Sequence, residues 1–213
     1  MRHIVDLVAG FQRFRERYFV AERALFEKLI QKGQSPNVMV IACCDARVDP
    51  AIVLDCDPGD LFVVRNVANL VPPHETTGHY HGTSAALEFA VTCLQVEHVI
   101  VLGHAQCGGI RALLGDIRFE AGTGQFVQPW MTIAREAKEQ VQAQMPSASR
   151  EAQACACEQA AVKVSLRNLR SFPFVQRRVG AGQLTLHGWY FDLARGELLR
   201  YDAATERFDV LSS

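Results

Sequence analysis

The sequence predicts an α/β fold: a central, mainly parallel β-sheet flanked by helices, with an N-terminal helical arm and an antiparallel C-terminal extension of the sheet. Three observations predict it. Short apolar runs rich in β-branched residues, at 38–43, 61–65 and 99–103, are bounded by turn residues and read as buried strands. Stretches with helical spacing of apolar residues alternate with those runs, the pattern of parallel strands joined by helical crossovers. After residue 184 the helical spacing gives way to three closely spaced β-rich runs.

From 11 to 29 the residues Phe11, Phe14, Tyr18, Leu25, Phe26 and Leu29 recur at helical spacing among Arg, Glu and Lys, which defines the amphipathic arm. Gly33, Gln34, Ser35 and Pro36 break it. The first strand, 38–43, then delivers Cys43 at its C-terminal end. A turn at 57–60 precedes the second strand, and 83–95 reads as a helix with Thr83 or Ser84 available as its cap. The third strand, 99–103, delivers His104, after which Gly108 and Gly109 open a short helix. Further helices are expected near 129–143 and at 150–170. Runs at 184–193, 197–201 and 208–211 close the sheet, with Ala194-Arg195-Gly196 as a hairpin turn. No repeat or separating linker occurs, so residues 1–213 are expected to form a single domain, with 1–33 as the arm and 34–213 as the α/β core.

Composition narrows the function. Lys and Arg number 22 against 23 Asp and Glu, so no net field draws in nucleic acid or an anionic membrane. No apolar run approaches the roughly 18 residues of a membrane span. A small-molecule partner is expected. The N-terminus carries Asp6 in its first apolar run and lacks the basic, apolar, small-residue order of a secretion signal, so the expected location is cytoplasmic. Seven cysteines without an export signal favour metal ligands or buried thiols over a disulfide framework. Cys155 and Cys157, two apart on a helix, point to different faces and are expected to be structural thiols.

Two segments carry the chemistry: Cys43-Cys44-Asp45-Ala46-Arg47 and His104-Ala105-Gln106-Cys107. A histidine or a cysteine alone at such a position is ordinarily a core residue. Here two thiols and an imidazole converge on strand C-termini, where ligands bind in open α/β sheets. That donor set suits zinc, and three protein ligands leave a fourth corner for water or substrate. Asp45 can accept a hydrogen bond from the reacting oxygen, and Arg47 can hold it ionised and off the metal. Cys44 points to the opposite side of the strand from Cys43 and is read as a non-ligand. A thiol redox centre at Cys43-Cys44 is disfavoured, because adjacent cysteines bridge only with strain.

The Cys-x-Asp-x-Arg and His-x-x-Cys pair, with Arg65-Asn66-Val67-Ala68-Asn69-Leu70-Val71-Pro72-Pro73 between them, resembles a β-class carbonic anhydrase. The likeness extends through Gly82 to Phe89, Leu102 to Gly109 and Leu186 to Tyr190. The resemblance implies one zinc ion per subunit on Cys43, His104 and Cys107, with Asp45 and Arg47 as a catalytic dyad. It implies reversible hydration of carbon dioxide to bicarbonate and a proton by a zinc-bound hydroxide. Gln34 matches the glutamine of the plant-like subgroup, whose amide donates to substrate, often across a dimer interface. Phe62, Val67, Phe89 and Gly108 would belong with Gln34 to the substrate pocket, where Gln34 and nearby backbone amides would bind the product oxygen. A homodimer or dimer of dimers is implied. Val40 stands where the bicarbonate-inhibited subgroup has tryptophan, which argues against that control.

Cys44 and Ala46 replace serines usual in that family, and Phe89 replaces a common tyrosine. His74, His79 and His81 lie on the Pro- and Gly-rich loop at 71–82, where a proton shuttle could sit. Two rivals share the scaffold: hydrolysis of carbonyl sulfide or carbon disulfide, and a zinc-stabilised binding protein without turnover.

Overall fold

A computed structural model describes residues 3–78 and 80–211. The chain forms two compact units, residues 1–35 and 36–213. The first contains α1 (Ile4–Arg15), a π-helical segment (Glu16–Ala21) and α2 (Arg23–Lys32). Asp6 accepts the His3 backbone N–H at 2.7 Å at the start of α1, satisfying one of the donors a helix N-terminus leaves free. The arm is thus helical from residue 4, but it is not one helix: Glu22, at φ −113° and ψ 39°, separates its halves. The wider turn of the π segment presents both Tyr18 and Phe19 to Phe14 and Phe26, with ring centroids 4.5–6.0 Å apart.

The second unit is built on β1 (Val38–Cys43), β2 (Leu61–Asn66), β3 (His98–His104), β4 (Thr185–Asp192), β5 (Glu197–Asp202) and β6 (Arg207–Val210). Among the described residues they form one sheet in the order β2-β1-β3-β4-β5-β6. The first four strands are parallel and the last two antiparallel. β4 therefore belongs to the parallel part, and the antiparallel extension begins only at β5. Every residue of β1 after Val38 is buried, as expected of a strand covered on both faces. The turn between β4 and β5 falls where Ala194-Arg195-Gly196 predicts it: Gly196 takes φ +67°, and Asp192 Oδ1 accepts the N–H groups of Ala194 and Arg195.

Between the strands lie α3 (Pro50–Val53), α4 (Gly82–Glu88) with a π-helical end (Phe89–Cys93), α5 (Gly108–Leu114), α6 (Val127–Met131), α7 (Arg135–Gln144), α8 (Arg150–Leu169) and α9 (Pro173–Gly180). Neither Thr83 nor Ser84 caps α4, which starts one residue earlier behind His81; Thr83 Oγ1 instead accepts from Asn66 Nδ2 at 3.2 Å. The helix expected near 129–143 is divided by a 3₁₀ turn, Thr132–Ala134. α8 is capped by Ser149, whose Oγ accepts the Ala152 N–H.

The small residues of α8 let it lie close to the sheet, and β3 meets it with a glycine. A Cβ on Gly103 would stand 2.6 Å from Val162 Cγ2. Gly103→Ala is therefore expected to cost about 1–3 kcal/mol through overpacking, read as a lowered urea midpoint; an unchanged midpoint would show that α8 can retreat.

The order of strands reverses direction at β1: its chain continues outward to β2, then crosses back to β3. The crevice beyond the C-terminal ends of β1 and β3 is the place where such sheets bind ligands. Cys43 ends β1, and His104 ends β3.

Candidate metal centre

Cys43, His104 and Cys107 converge there. One ligand atom from each lies within 4.8 Å of the others, and the three residues are 5%, 1% and 1% exposed. Cys107 reaches the group through a sharp exit from β3, with Gln106 at φ +58°. Gly109 permits the tight path that follows: a Cβ there would meet Val67 Cγ1 at 2.8 Å and Ala68 Cβ at 2.9 Å.

The imidazole is oriented for coordination. Nδ1 of His104 lies 2.8 Å from the Ala105 carbonyl oxygen, which can only accept, so Nδ1 carries the proton. In the neutral ring Nε2 then presents its lone pair, and this buried atom has no hydrogen-bond partner among the described residues. An orphaned buried nitrogen beside two buried sulfurs fits a soft or borderline divalent ion such as zinc. The two buried thiols titrate as a coupled pair: each sulfur stabilises the other in the opposite protonation state, so one of the two ionises easily and the second, in an already buried and negative site, with difficulty. Burial opposes protonation of His104, but the adjacent Cys43 raises its pKa on balance.

Asp45 and Arg47 form a two-point latch. Arg47 Nε donates to Oδ1 at 2.9 Å and Nη2 to Oδ2 at 2.7 Å, while the Arg47 backbone N–H reaches Oδ1 at 3.0 Å. The guanidinium also donates to the carbonyl of Gln106 at 3.1 Å and to its side-chain oxygen at 3.2 Å, joining the loop after β1 to the turn after β3. The Arg47 bonds hold the Asp45 carboxyl well below the usual carboxylate range. Because its folded pKa is depressed, Asp45 contributes stability that is complete above its unfolded pKa and lost as pH falls. The urea-midpoint difference between the parent and Asp45→Ala is expected to stay constant above about pH 4 and shrink below it. A difference that grew on acidification would contradict this sign.

Of the remaining residues singled out in the sequence, Val67 packs in the same apolar cluster as Cys43 and Cys107. Gly108 is the first residue of α5, exposed, with open space where a Cβ would be. Phe62 and Phe89 come together, ring centroids 5.9 Å apart, but not beside the ligands. Phe62 pairs with Met39 and Asn66 with Cys43, so Phe62 stands four residues back along the sheet, about 13 Å at a strand's rise. Gln34 belongs to the N-terminal unit. Cys44 is exposed and outside the ligand group. Cys155 is exposed and Cys157 buried, its thiol pushed up to about 12 by burial. His74 packs its ring against Phe172, His81 lies at the N-terminus of α4, and His79 falls outside the described residues.

Sequence reasoning missed two charged residues. Arg65 Nε donates to the carbonyl of Cys43 at 2.8 Å, Nη2 to that of Asp45 at 2.7 Å, and Nη1 to Asp49 at 2.8 Å, so one side chain from β2 ties down the whole loop after β1. Glu158 of α8 accepts the Cys107 N–H at 2.9 Å and the Tyr190 hydroxyl at 2.7 Å, with burial raising its pKa against those bonds. The available signal was a charge inside an otherwise apolar strand or a stretch of small helical residues.

A family profile described as Carbonic anhydrase matches residues 38–198. Beta carbonic anhydrase 3 of Arabidopsis thaliana is 39% identical over 189 residues, covering 88% of this chain and 72% of that protein. The chloroplastic beta carbonic anhydrase 5 of the same plant is 38% identical over 187 residues, 88% of this chain and 61% of its own length. A cytoplasmic location is therefore not implied by kinship; no helix among the described residues is long and apolar enough to cross a membrane. The solved structure of the beta-carbonic anhydrase CcaA has a TM-score of 0.89 at 33% identity, with 99% of this chain and 93% of that one covered. With a fold, a ligand-competent crevice and these relatives in agreement, the chain belongs to the β-class carbonic anhydrase family.

Proposed function

We propose that this chain catalyses the reversible hydration of carbon dioxide to bicarbonate and a proton, using one zinc ion per subunit held by Cys43, His104 and Cys107, with residues 34–213 as the catalytic core. The observation that carries this reading is the convergence of the three ligand atoms beside a carboxylate latched at two points by a guanidinium. When bound, zinc at a three-ligand site acidifies water and so supplies a nucleophile at neutral pH.

The chain's own residues do the rest. Asp45, kept ionised by Arg47, offers only acceptor atoms; it takes the hydrogen bond of the attacking oxygen and turns a lone pair towards the carbon. Both Asp45 oxygens are committed to Arg47, which keeps the carboxylate from serving as a fourth ligand. Val67 supplies apolar wall for a linear, uncharged substrate, and the Gly108 N–H receives a product oxygen.

Phe62 and Phe89, lying away from Cys43 in their own chain, would line the pocket of a second subunit, as would Gln34. Assembly as a homodimer or dimer of dimers is supported by the exposed apolar residues Ile4, Val5, Val8 and Phe11 on α1. In the larger unit it is supported by a cleft of 1390 Å³ with the exposed Phe126 among its lining residues. Light scattering is expected to return twice or four times the chain mass of 23.6 kDa.

Stopped-flow hydration of carbon dioxide by zinc-loaded protein, run beside carbonyl sulfide and carbon disulfide hydrolysis, tests the activity. Rapid hydration with one zinc per chain is expected. Hydrolysis of the sulfur compounds without hydration, or bound zinc without any turnover, would replace this reading.

A further inference from the structure

The geometry points to Glu158, braced by Tyr190, as the residue that positions Cys107 for metal binding; the inference rests on the metal site proposed above. Glu158 is 4% exposed on α8, among the small residues Ala154, Cys157 and Ala161. A carboxylate is a costly occupant there, and an apolar side chain would serve packing alone at least as well. Its oxygens are instead spent on two particular donors. Oε1 accepts the backbone N–H of Cys107, and Oε2 accepts the hydroxyl of Tyr190.

Cys107 is the N-cap of α5, and the preceding residue sits in the left-handed region. Its N–H therefore faces inward as the chain leaves β3, where a buried donor must find an acceptor. Glu158 provides it from 51 residues away. With the N–H fixed and Gln106 holding the turn, a single side-chain torsion sets where the Cys107 sulfur lies. The brace is rigid in turn: Tyr190 is 1% exposed and pairs with Gly103, the residue before His104. Glu158 thus relates both the Cys107 turn and the end of β3 to one point in the core. Partners behind a metal's direct ligands orient those ligands and tune affinity in this way.

The test is zinc affinity of the full chain by chelator competition, with the thiolate charge-transfer band of the cobalt(II)-substituted protein as a second readout. Glu158→Ala is expected to weaken zinc about 10- to 100-fold and to change the cobalt band. Glu158→Gln keeps an oxygen for the Cys107 N–H and an amide towards Tyr190, so it should restore affinity to within about threefold. Cys157→Ala, a packing change on the same helix, should lower the melting temperature and leave zinc affinity alone.

Should Glu158→Ala fail to fold, Tyr190→Phe removes only the brace. It is expected to weaken zinc several-fold while Glu158→Gln does not. Parental affinity in folded Glu158→Ala, or in Tyr190→Phe when the alanine variant cannot be measured, overturns the inference; so does a Gln variant as weak as the alanine one. A parent chain that binds no zinc would instead defeat the metal-site reading itself.

Discussion

Asp45→Ala is expected to retain zinc at the parental stoichiometry while carbon dioxide hydration falls about 100-fold. The separation of the two effects follows from position: Asp45 follows Cys43 by two residues but is absent from the convergent ligand group, and both its oxygens face Arg47. Removing it leaves the three ligand atoms in place and deletes the acceptor that orients the attacking oxygen. Arg47→Ala should produce a similar loss, because it frees the carboxylate to rotate or to approach the metal. Arg47→Lys should not rescue it, since an ammonium cannot reproduce the two-point contact. The double variant should be little worse than either single one, as expected of residues acting as a unit. Initial rates and zinc content measured on the same preparations decide the matter; a full rate from Asp45→Ala would remove the residue from the chemistry.

Cys43→Ser is expected to abolish zinc retention after dialysis and to reduce hydration by at least about 10³-fold, because water without the metal keeps a pKa near 15.7 rather than about 7. Serine is close to cysteine in size, and its neutral hydroxyl is a poor zinc ligand. The loss of metal should therefore come without loss of the fold, and the far-ultraviolet circular dichroism should match the parent. Retained zinc in Cys43→Ser would mean that another donor, such as the neighbouring Cys44, had taken its place.

Much of this was legible in the sequence because it depended on local order. β1 and β3 are short apolar runs rich in β-branched residues that end on potential metal ligands, so their burial and the place of the site could be read together. The dyad was legible for the same reason, since Asp45 and Arg47 are two residues apart. What escaped was fixed by tertiary partners. α9 packs Phe174, Val175 and Val179 into the core, but at eight residues it spans too few turns for that period to stand out in the sequence. The break in the arm at Glu22 is marked by no glycine or proline, and across it Phe14 and Tyr18 pack against Phe26. Phe62 could be assigned to a pocket through the family resemblance alone, and only the register of β1 with β2 reveals how far along the sheet it stands from Cys43. Arg65 finds its partners 16–22 residues away and Glu158 its own 32 and 51 residues away, beyond the reach of periodicity.

The parallel pairing of β1 with β3 also orders events during folding. Cys43 and His104 become neighbours only after the intervening chain, with all of β2 and α4, has closed into a loop, and long closures of this kind are slow. The hairpins of β4, β5 and β6 demand no such search. The three ligand atoms of the zinc site proposed above are therefore gathered by the native topology of the sheet, across a long span of chain, whereas a zinc finger is a small domain whose fold depends on its ion.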